Sequence, residues 1–262
     1  MRSKYFVIPN NKKYKKVSEV NFLFPLKGFN VGKPWLFTID ELPIDSYIYI
    51  NRLLDEEGVT KLDSILANNI DKIKGIFFED LGVLELIKEK KYPFETIYYP
   101  SHALCSEATC QRFLKECNYV VLSSDIKYED IAKFHDLSHI GSVIFTKLPF
   151  MYSRRSLVSN YQKVHDLDIT SKLVVKNKSS QDKLAFDENE YGTLVYDSTF
   201  YDGRELLDLN MSFYIIDFSY LDIVDYEEWF NNYILKRESI DGTTGFLHRE
   251  MIVKLPPKEA KR

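Results

Sequence analysis

The sequence predicts an α/β protein built as a TIM-type (β/α) barrel, on three observations. From residue 45 onward, short β-rich runs alternate with amphipathic stretches of helical period at a steady spacing, the pattern of successive βαβ units. Strands covered on both faces by their own crossover helices run parallel, and right-handed crossovers curl such a series toward a barrel. A chain of 262 residues with 45% hydrophobic content buries the core of one large domain.

The elements follow in order. The first forty residues, with "KKYKK" and "FLFPLKGFNVGKPW", are poor in helical period and leave open an incomplete first barrel unit. "DSYIYIN" (45 to 51) reads as a strand, and in "EEGVTKLDSILANNIDKI" Val59, Leu62, Ile65, Leu66 and Ile70 keep the spacing of one helix face. "KGIFFED" leads into the helical "LGVLELIKEKK", "FETIYYP" into "SEATCQRFLKE", and "YVVLSS" into "KYEDIAKFHDL". "GSVIFTKLPF" (141 to 150) is the fifth clear strand, and it runs into "LPFMYSRRSLVSNY". The region of about 162–211 is polar and turn-rich, with β runs at "KLVVKN" and "GTLVYDS", and is expected to be a β-hairpin insertion. "MSFYIIDFS" and "DYEEWFNNYILKRE" supply one more strand and helix, so the single domain has its core at 45–161 and 212–237. The tail from "TTGFLHRE" onward is expected to be extended.

Composition narrows the function. Lys plus Arg number 35 against 39 Asp plus Glu, and the net charge of -4 supplies no global field toward nucleic acid or an anionic membrane. The lysine groups at 12–16 and 172–183 read as solvated faces that can also meet RNA phosphates. No window approaches 18 uninterrupted apolar residues, and the N-terminus lacks the apolar stretch and cleavage site of a signal peptide, so a cytoplasmic protein with no membrane contact is expected. Cys105, Cys110 and Cys117 are an odd count in one segment, which argues against a disulfide framework. Cys110 and Cys117, seven residues apart, read as buried small hydrophobes on one helix face.

Arg154 and Arg155 follow a strand that should end at the C-terminal mouth of the barrel, where their forks of N–H donors suit a carboxylate or phosphate. Asp80, His102 and Asn51 each end or follow a strand and are expected at the same mouth, as ligand contacts or as hydrogen bonds that fix loops. Asn160 and Tyr161 read as caps or packing for the following helix. "HDLSH" sets His135 and His139 four residues apart, close to a zinc motif, but Asp136 is too short to reach a metal-bound water. "GTTGF" lacks the spacing of a nucleotide-phosphate loop, and no Ser/His/Asp or Cys/His arrangement is readable.

"YIYINRLLDEEGVTKLDSIL", "IFFEDLGVLELIKE", "PSHALCSEATCQRFLKECNYVVLSSDIKYEDI", "LPFMYSRRSLVSNY" and "TTGFLHRE", in that order, resemble the collagenase-like peptidase U32 family. The resemblance implies a TIM-type barrel. Its better understood members are oxygen-independent hydroxylation proteins acting on RNA bases or quinone precursors, with a four-iron four-sulfur cluster held on cysteines. One of those cysteines follows an arginine in an "S-x-R-C" pattern, and Ser156 stands at that position here, with no cysteine from residue 118 onward. A hydroxyl is a poor soft ligand and three upstream cysteines cannot make four-thiolate ligation, so no cofactor is expected. The functions that follow are a cluster-free protein binding a carboxylate small molecule or RNA in a hydroxylation system, a peptide hydrolase as the family label says, or a non-catalytic scaffold. The apolar residues 20–40 read either as packing under the barrel floor or as the docking place of a partner, a longer U32-type paralogue that keeps its cysteines.

Overall fold

The computed structural model describes residues 5–14, 19–168, 172–176, 183–221 and 225–249. Seven parallel strands come first: β1 (Tyr5–Ile8), β2 (Val20–Pro25), β3 (Ser46–Ile50), β4 (Ile73–Phe78), β5 (Glu95–Tyr98), β6 (Tyr119–Val121) and β7 (Ile140–Ser153). Three further strands, β8 (Lys172–Lys176), β9 (Lys183–Asn189) and β10 (Gly192–Asp202), precede β11 (Phe213–Asp217). β11 pairs in parallel with both β1 and β7, Ile8 facing Asp217 and Gly141 facing Phe213. The barrel is therefore closed by eight parallel strands. It is complete at its N-terminal end: β1 and β2 supply the unit that the sequence left open, and β2 is paired on both edges.

Strand alternation divides the core in two. Phe6, Ile8, Leu23, Tyr47, Tyr49, Phe77, Ile97, Val121, Val143, Phe213 and Ile215 fill the barrel interior, while their neighbours pack outward beneath the helices. Gly141 makes room for this filling, because a Cβ there would lie 2.3 Å from the Phe213 ring. The apolar run at 20–40 is packed: Phe22, Leu23, Phe24, Leu26, Phe29 and Phe37 are buried, and Trp35 is exposed.

The helices α1 (Glu56–Ala67), α2 (Leu81–Lys90), α3 (Glu107–Phe113), α4 (Tyr128–Ile131), α5 (Leu157–His165) and α6 (Tyr226–Phe230) start where the periodicity places them. α1 buries Leu62 and Leu66 but ends before Ile70, and α6 runs on into a π-helical turn at Asn231–Leu235. α4 is one turn rather than the expected full helix. The Glu107 carboxylate takes the backbone N–H groups of His135 and Asp136, drawing the chain out of helical geometry. Among the described residues no α-helix lies between β1 and β2 or between β2 and β3, where only a 3₁₀ turn at Ile39–Glu41 occurs.

The expected hairpin is a three-stranded antiparallel sheet, and β9 was not anticipated as a strand. β7 runs past Phe150 because its outer half leaves the barrel and pairs with β10, which pairs with β9 and then β8. This sheet folds back over the mouth. Val31, Ala185, Leu194 and Tyr196 bury one another together with Tyr152, Tyr191 and Tyr220, and the Asn189 side-chain amide donates to the Asn30 carbonyl at 2.9 Å. The tail is not extended as expected. Thr243 bridges to Tyr201, a turn over 245–248 follows, and the Leu247 side chain is buried. Residues 250–262 lie outside the described residues.

Candidate binding site at the barrel mouth

Each barrel strand ends in a loop at the C-terminal mouth, and three neighbouring loops share one polar network. Glu79 follows β4, Ser101 and His102 follow β5, and Ser123 and Asp125 follow β6. The Ser101 N–H and hydroxyl donate to the Glu79 carboxylate, each at 3.3 Å. The Ser123 hydroxyl lies 3.1 Å from Asp125 Oδ2 and 3.4 Å from the Ser101 carbonyl, and His102 Nδ1 meets Asp125 Oδ2 at 2.8 Å. The hydrogen bond to Asp125 raises the His102 pKa above its ordinary value against an opposing desolvation, and the charges of Asp125 and Glu79 add to the rise. The same contact with His102 holds the Asp125 carboxyl below its usual range. Burial pushes the Glu79 carboxyl upward, opposed by its bonds from Ser101 and by the charge of His102.

A cleft of about 420 Å³ opens beside this network. His102, Asp125, the stretch Leu148, Pro149 and Phe150, and the segment that carries Thr243, Phe246 and Arg249 line it. The Arg249 guanidinium lies over the Phe246 ring at 5.5 Å. Leu148, Pro149, Phe150, Leu184 and Phe246 make its apolar walls, and its charged groups are the His102–Asp125 pair, Asp197 and the Arg249 guanidinium. The guanidinium at an apolar wall is the group that can meet an anionic head on an apolar body.

Across the mouth, Asp217 ends β11 as a buried carboxylate. Its Oδ2 receives the Lys33 ammonium and the Thr146 hydroxyl, the latter at 3.1 Å, while Oδ1 receives the Ser219 N–H at 2.9 Å and the Ser219 hydroxyl. Tyr49 and Tyr99 stack between the two halves, centroids 5.3 Å apart, and burial raises both phenols. Glu79, Asp217 and Arg249 were not singled out from the sequence. "FFED" and "FYIIDFS" each carry an acid at a strand end, the signal that singled out Asp80, and Arg249 lies in the "TTGFLHRE" stretch.

The residues expected at the mouth are not brought together. His102 lines the cleft. Asp80 caps α2 by accepting from Gly82 N at 2.8 Å and holds the preceding loop by accepting from Leu54 N at 2.6 Å. Asn51 is buried, with its amide paired both ways to the Val31 backbone at 2.9 Å. Arg154 reaches Asp55 at 3.1 Å, and Arg155 is exposed. β7 carries both arginines beyond the barrel proper. Ser156 precedes α5 without a side-chain cap, Asn160 and Tyr161 sit within that helix, and Tyr161 packs on His165.

The cysteines do not fit a four-thiolate cluster. Cys110 and Cys117 are buried in the apolar layer, where burial pushes their thiols up to about 12, and Cys105 is exposed beside the His102 carbonyl. His135 pairs with Glu107, and His139 with the Asn118 carbonyl. Among the described residues, no three His, Cys, Asp or Glu side chains group as a metal site.

Two solved structures align with this chain at low similarity. A chitinase from Chromobacterium violaceum ATCC 12472 aligns at 9% identity and a TM-score of 0.35 over 84% of this chain and 92% of its own. The Bacillus cereus spore cortex-lytic enzyme SleL aligns at 10% identity and a TM-score of 0.38 over 92% of this chain and 76% of its own. Comparison with curated protein sequences returns no match. Residues 40–169 match peptidase family U32, spanning β3 to α5 and so most of the barrel wall and the network around His102. The chain belongs to peptidase family U32.

Proposed function

We propose that this chain is a binding subunit that takes a carboxylate-bearing small molecule in the cleft beside His102, within an oxygen-independent hydroxylation system whose cluster resides on another chain. One observation carries the reading: separate segments through which the sequence resembles the U32 family, at His102, Asp125, Leu148 to Phe150 and Thr243 to Arg249, converge on one cleft. Asp125 engages His102, so Arg249 is the cation left to a ligand carboxylate, with Asp197 setting the side of the cleft that the carboxylate avoids, and a cavity of about 420 Å³ suits a small ligand. RNA is the other ligand class that the resemblance implies, and the net charge of -4 favours the small molecule. Peptide hydrolysis, the sense of the family label, draws support only from the His102–Asp125 pair. Among the described residues no hydroxyl or thiol hydrogen-bonds to the His102 imidazole, the contact by which it would take a proton from a nucleophile.

Thermal shift against a panel of mono- and dicarboxylates, followed by calorimetry, tests the reading. Arg249→Gln should weaken the best ligand by about 1.5–3 kcal/mol, the scale for hydrogen bonds to a charged group. A panel without any shift, or equal affinity in the variant, rejects the carboxylate site.

A further inference from the structure

A second cleft, of about 480 Å³, lies between the β2–β3 loop, the start of α1 and the β9–β10 turn. Lys27, Arg52 and Lys61 line it with Asp55, Glu57 and Tyr191. Arg52 is built into place. Its side chain is 12% exposed, its Nη1 donates to the Gly28 carbonyl at 2.8 Å, and its guanidinium lies on the Tyr191 ring at 3.9 Å. Asp55, its counter-ion at 3.8 Å, is shared: one carboxylate oxygen caps α1 by accepting from Gly58 N, and the other takes Arg154 at 3.1 Å. Lys61 pairs with Glu57 at 2.7 Å, while the exposed Lys27 ammonium has no ion pair among the described residues. Glu190 precedes Tyr191 in the β9–β10 turn but does not line the cleft.

Three cationic side chains, Lys27, Arg52 and Lys61, line the cleft with two carboxylates, and Arg154 engages one of these, Asp55, from outside the lining. With Asp55 and Glu57 so engaged, Arg52 and Lys27 are left to an added anion, and two cations match a phosphoryl group of charge about −1.5 to −2. A guanidinium held flat by an aromatic face and a carbonyl presents its remaining N–H donors with little ordering cost, which suits tetrahedral phosphate oxygens. We propose that this cleft is a phosphate-recognition site, separate from the His102 cleft, in which Arg52 and Lys27 contact the phosphoryl oxygens and Arg154 holds Asp55 away from them. The phosphate belongs either to a small phosphorylated molecule or to a nucleic-acid backbone.

Calorimetry with pyrophosphate and with a short single-stranded RNA distinguishes the two sources. Wild type is compared with Arg52→Lys, which keeps the charge and loses the fork, with Lys27→Met, which touches no structural bond, and with Lys88→Met on α2 as a distant control. Binding of either probe that falls at least tenfold in Lys27→Met and Arg52→Lys but not in Lys88→Met supports the site, and the probe that binds identifies the source. If Arg52→Lys does not fold, Lys27→Met alone decides. Failure of both probes to bind, affinity unchanged in Lys27→Met, or an equal loss in Lys88→Met overturns the proposal.

Discussion

His102 is held by the Asp125 carboxylate, with the Glu79 charge nearby, an arrangement that favours the imidazolium. Its folded pKa is raised, so its contribution to stability is fully present below the ordinary 6.5 and is lost as pH rises through the raised value. Asp125 is depressed, so its contribution is present above 3.8 and is lost as pH falls through the lowered value. The pair therefore stabilises most between those two ordinary values. Both side chains are a third to a half exposed, which limits the pair to about 0.2–1 kcal/mol. Denaturant melts of wild type and His102→Gln should differ by that amount at mildly acidic pH and converge in alkaline buffer; a gap independent of pH would assign His102 a packing role. Position at a strand end was legible in the sequence and led to His102. It could not tell a side chain turned to the cavity from one turned to the backbone. Asn51 and Asp80 occupy equivalent positions, yet each spends its oxygens on N–H groups that loop closure would otherwise bury unpaired. Glu79, one residue from Asp80, faces Ser101 instead.

A buried long-range tie is the Lys33–Asp217 pair, which pins the β2–β3 loop to the end of β11. Lys33 is 8% exposed and Asp217 is 2% exposed, so removing one partner strands a charge out of water. Lys33→Met should cost about 3–5 kcal/mol in denaturant unfolding, and adding Asp217→Leu should recover part of it. A loss below about 1 kcal/mol would mean that water already reaches Asp217. Neither partner was legible as half of a pair, because 184 residues separate them and only barrel closure brings β1, β2 and β11 side by side. Elements from β3 to β7 were legible because each strand is apolar and each following helix repeats every three to four residues. β1 and β2 were not, since among the described residues neither is followed by an α-helix whose period would announce the unit. β9 was hidden for a related reason: "KLAFDEN" alternates around one buried residue, Ala185, too weak a pattern to separate from loop.

At the scale of the molecule, a β-sheet folds across the mouth of a closed barrel. The resemblance to U32 hydroxylation proteins implies a cluster, but the thiols of this chain are placed by packing. Cys110 and Cys117 fill the apolar layer with their pKa pushed up to about 12, which disfavours the thiolates that a cluster needs. Ser156 opens α5, a helix carried by β7 beyond the barrel and joined through Val158 and Ser159 N–H groups to Glu188 of the covering sheet. A thiolate at that position would therefore sit with the cover. Anaerobic reconstitution with iron and sulfide is accordingly expected to leave the protein without a stoichiometric cluster; recovery of about four irons per chain with a charge-transfer band would overturn that expectation. If the hydroxylation reading holds, the cluster must reach the bound ligand from another polypeptide. Affinity purification at native expression under anaerobic conditions should then recover a longer, cysteine-containing U32 paralogue. The β2 edge cannot recruit it, because β1 and β3 already pair that strand on both sides. Contact is instead expected near the His102 cleft, where Phe150 and Phe246 are exposed together at the rim. Phe150→Asp should abolish co-purification while leaving the thermal melt unchanged, and isolation of the lone monomer from wild-type cells would count against the partner altogether.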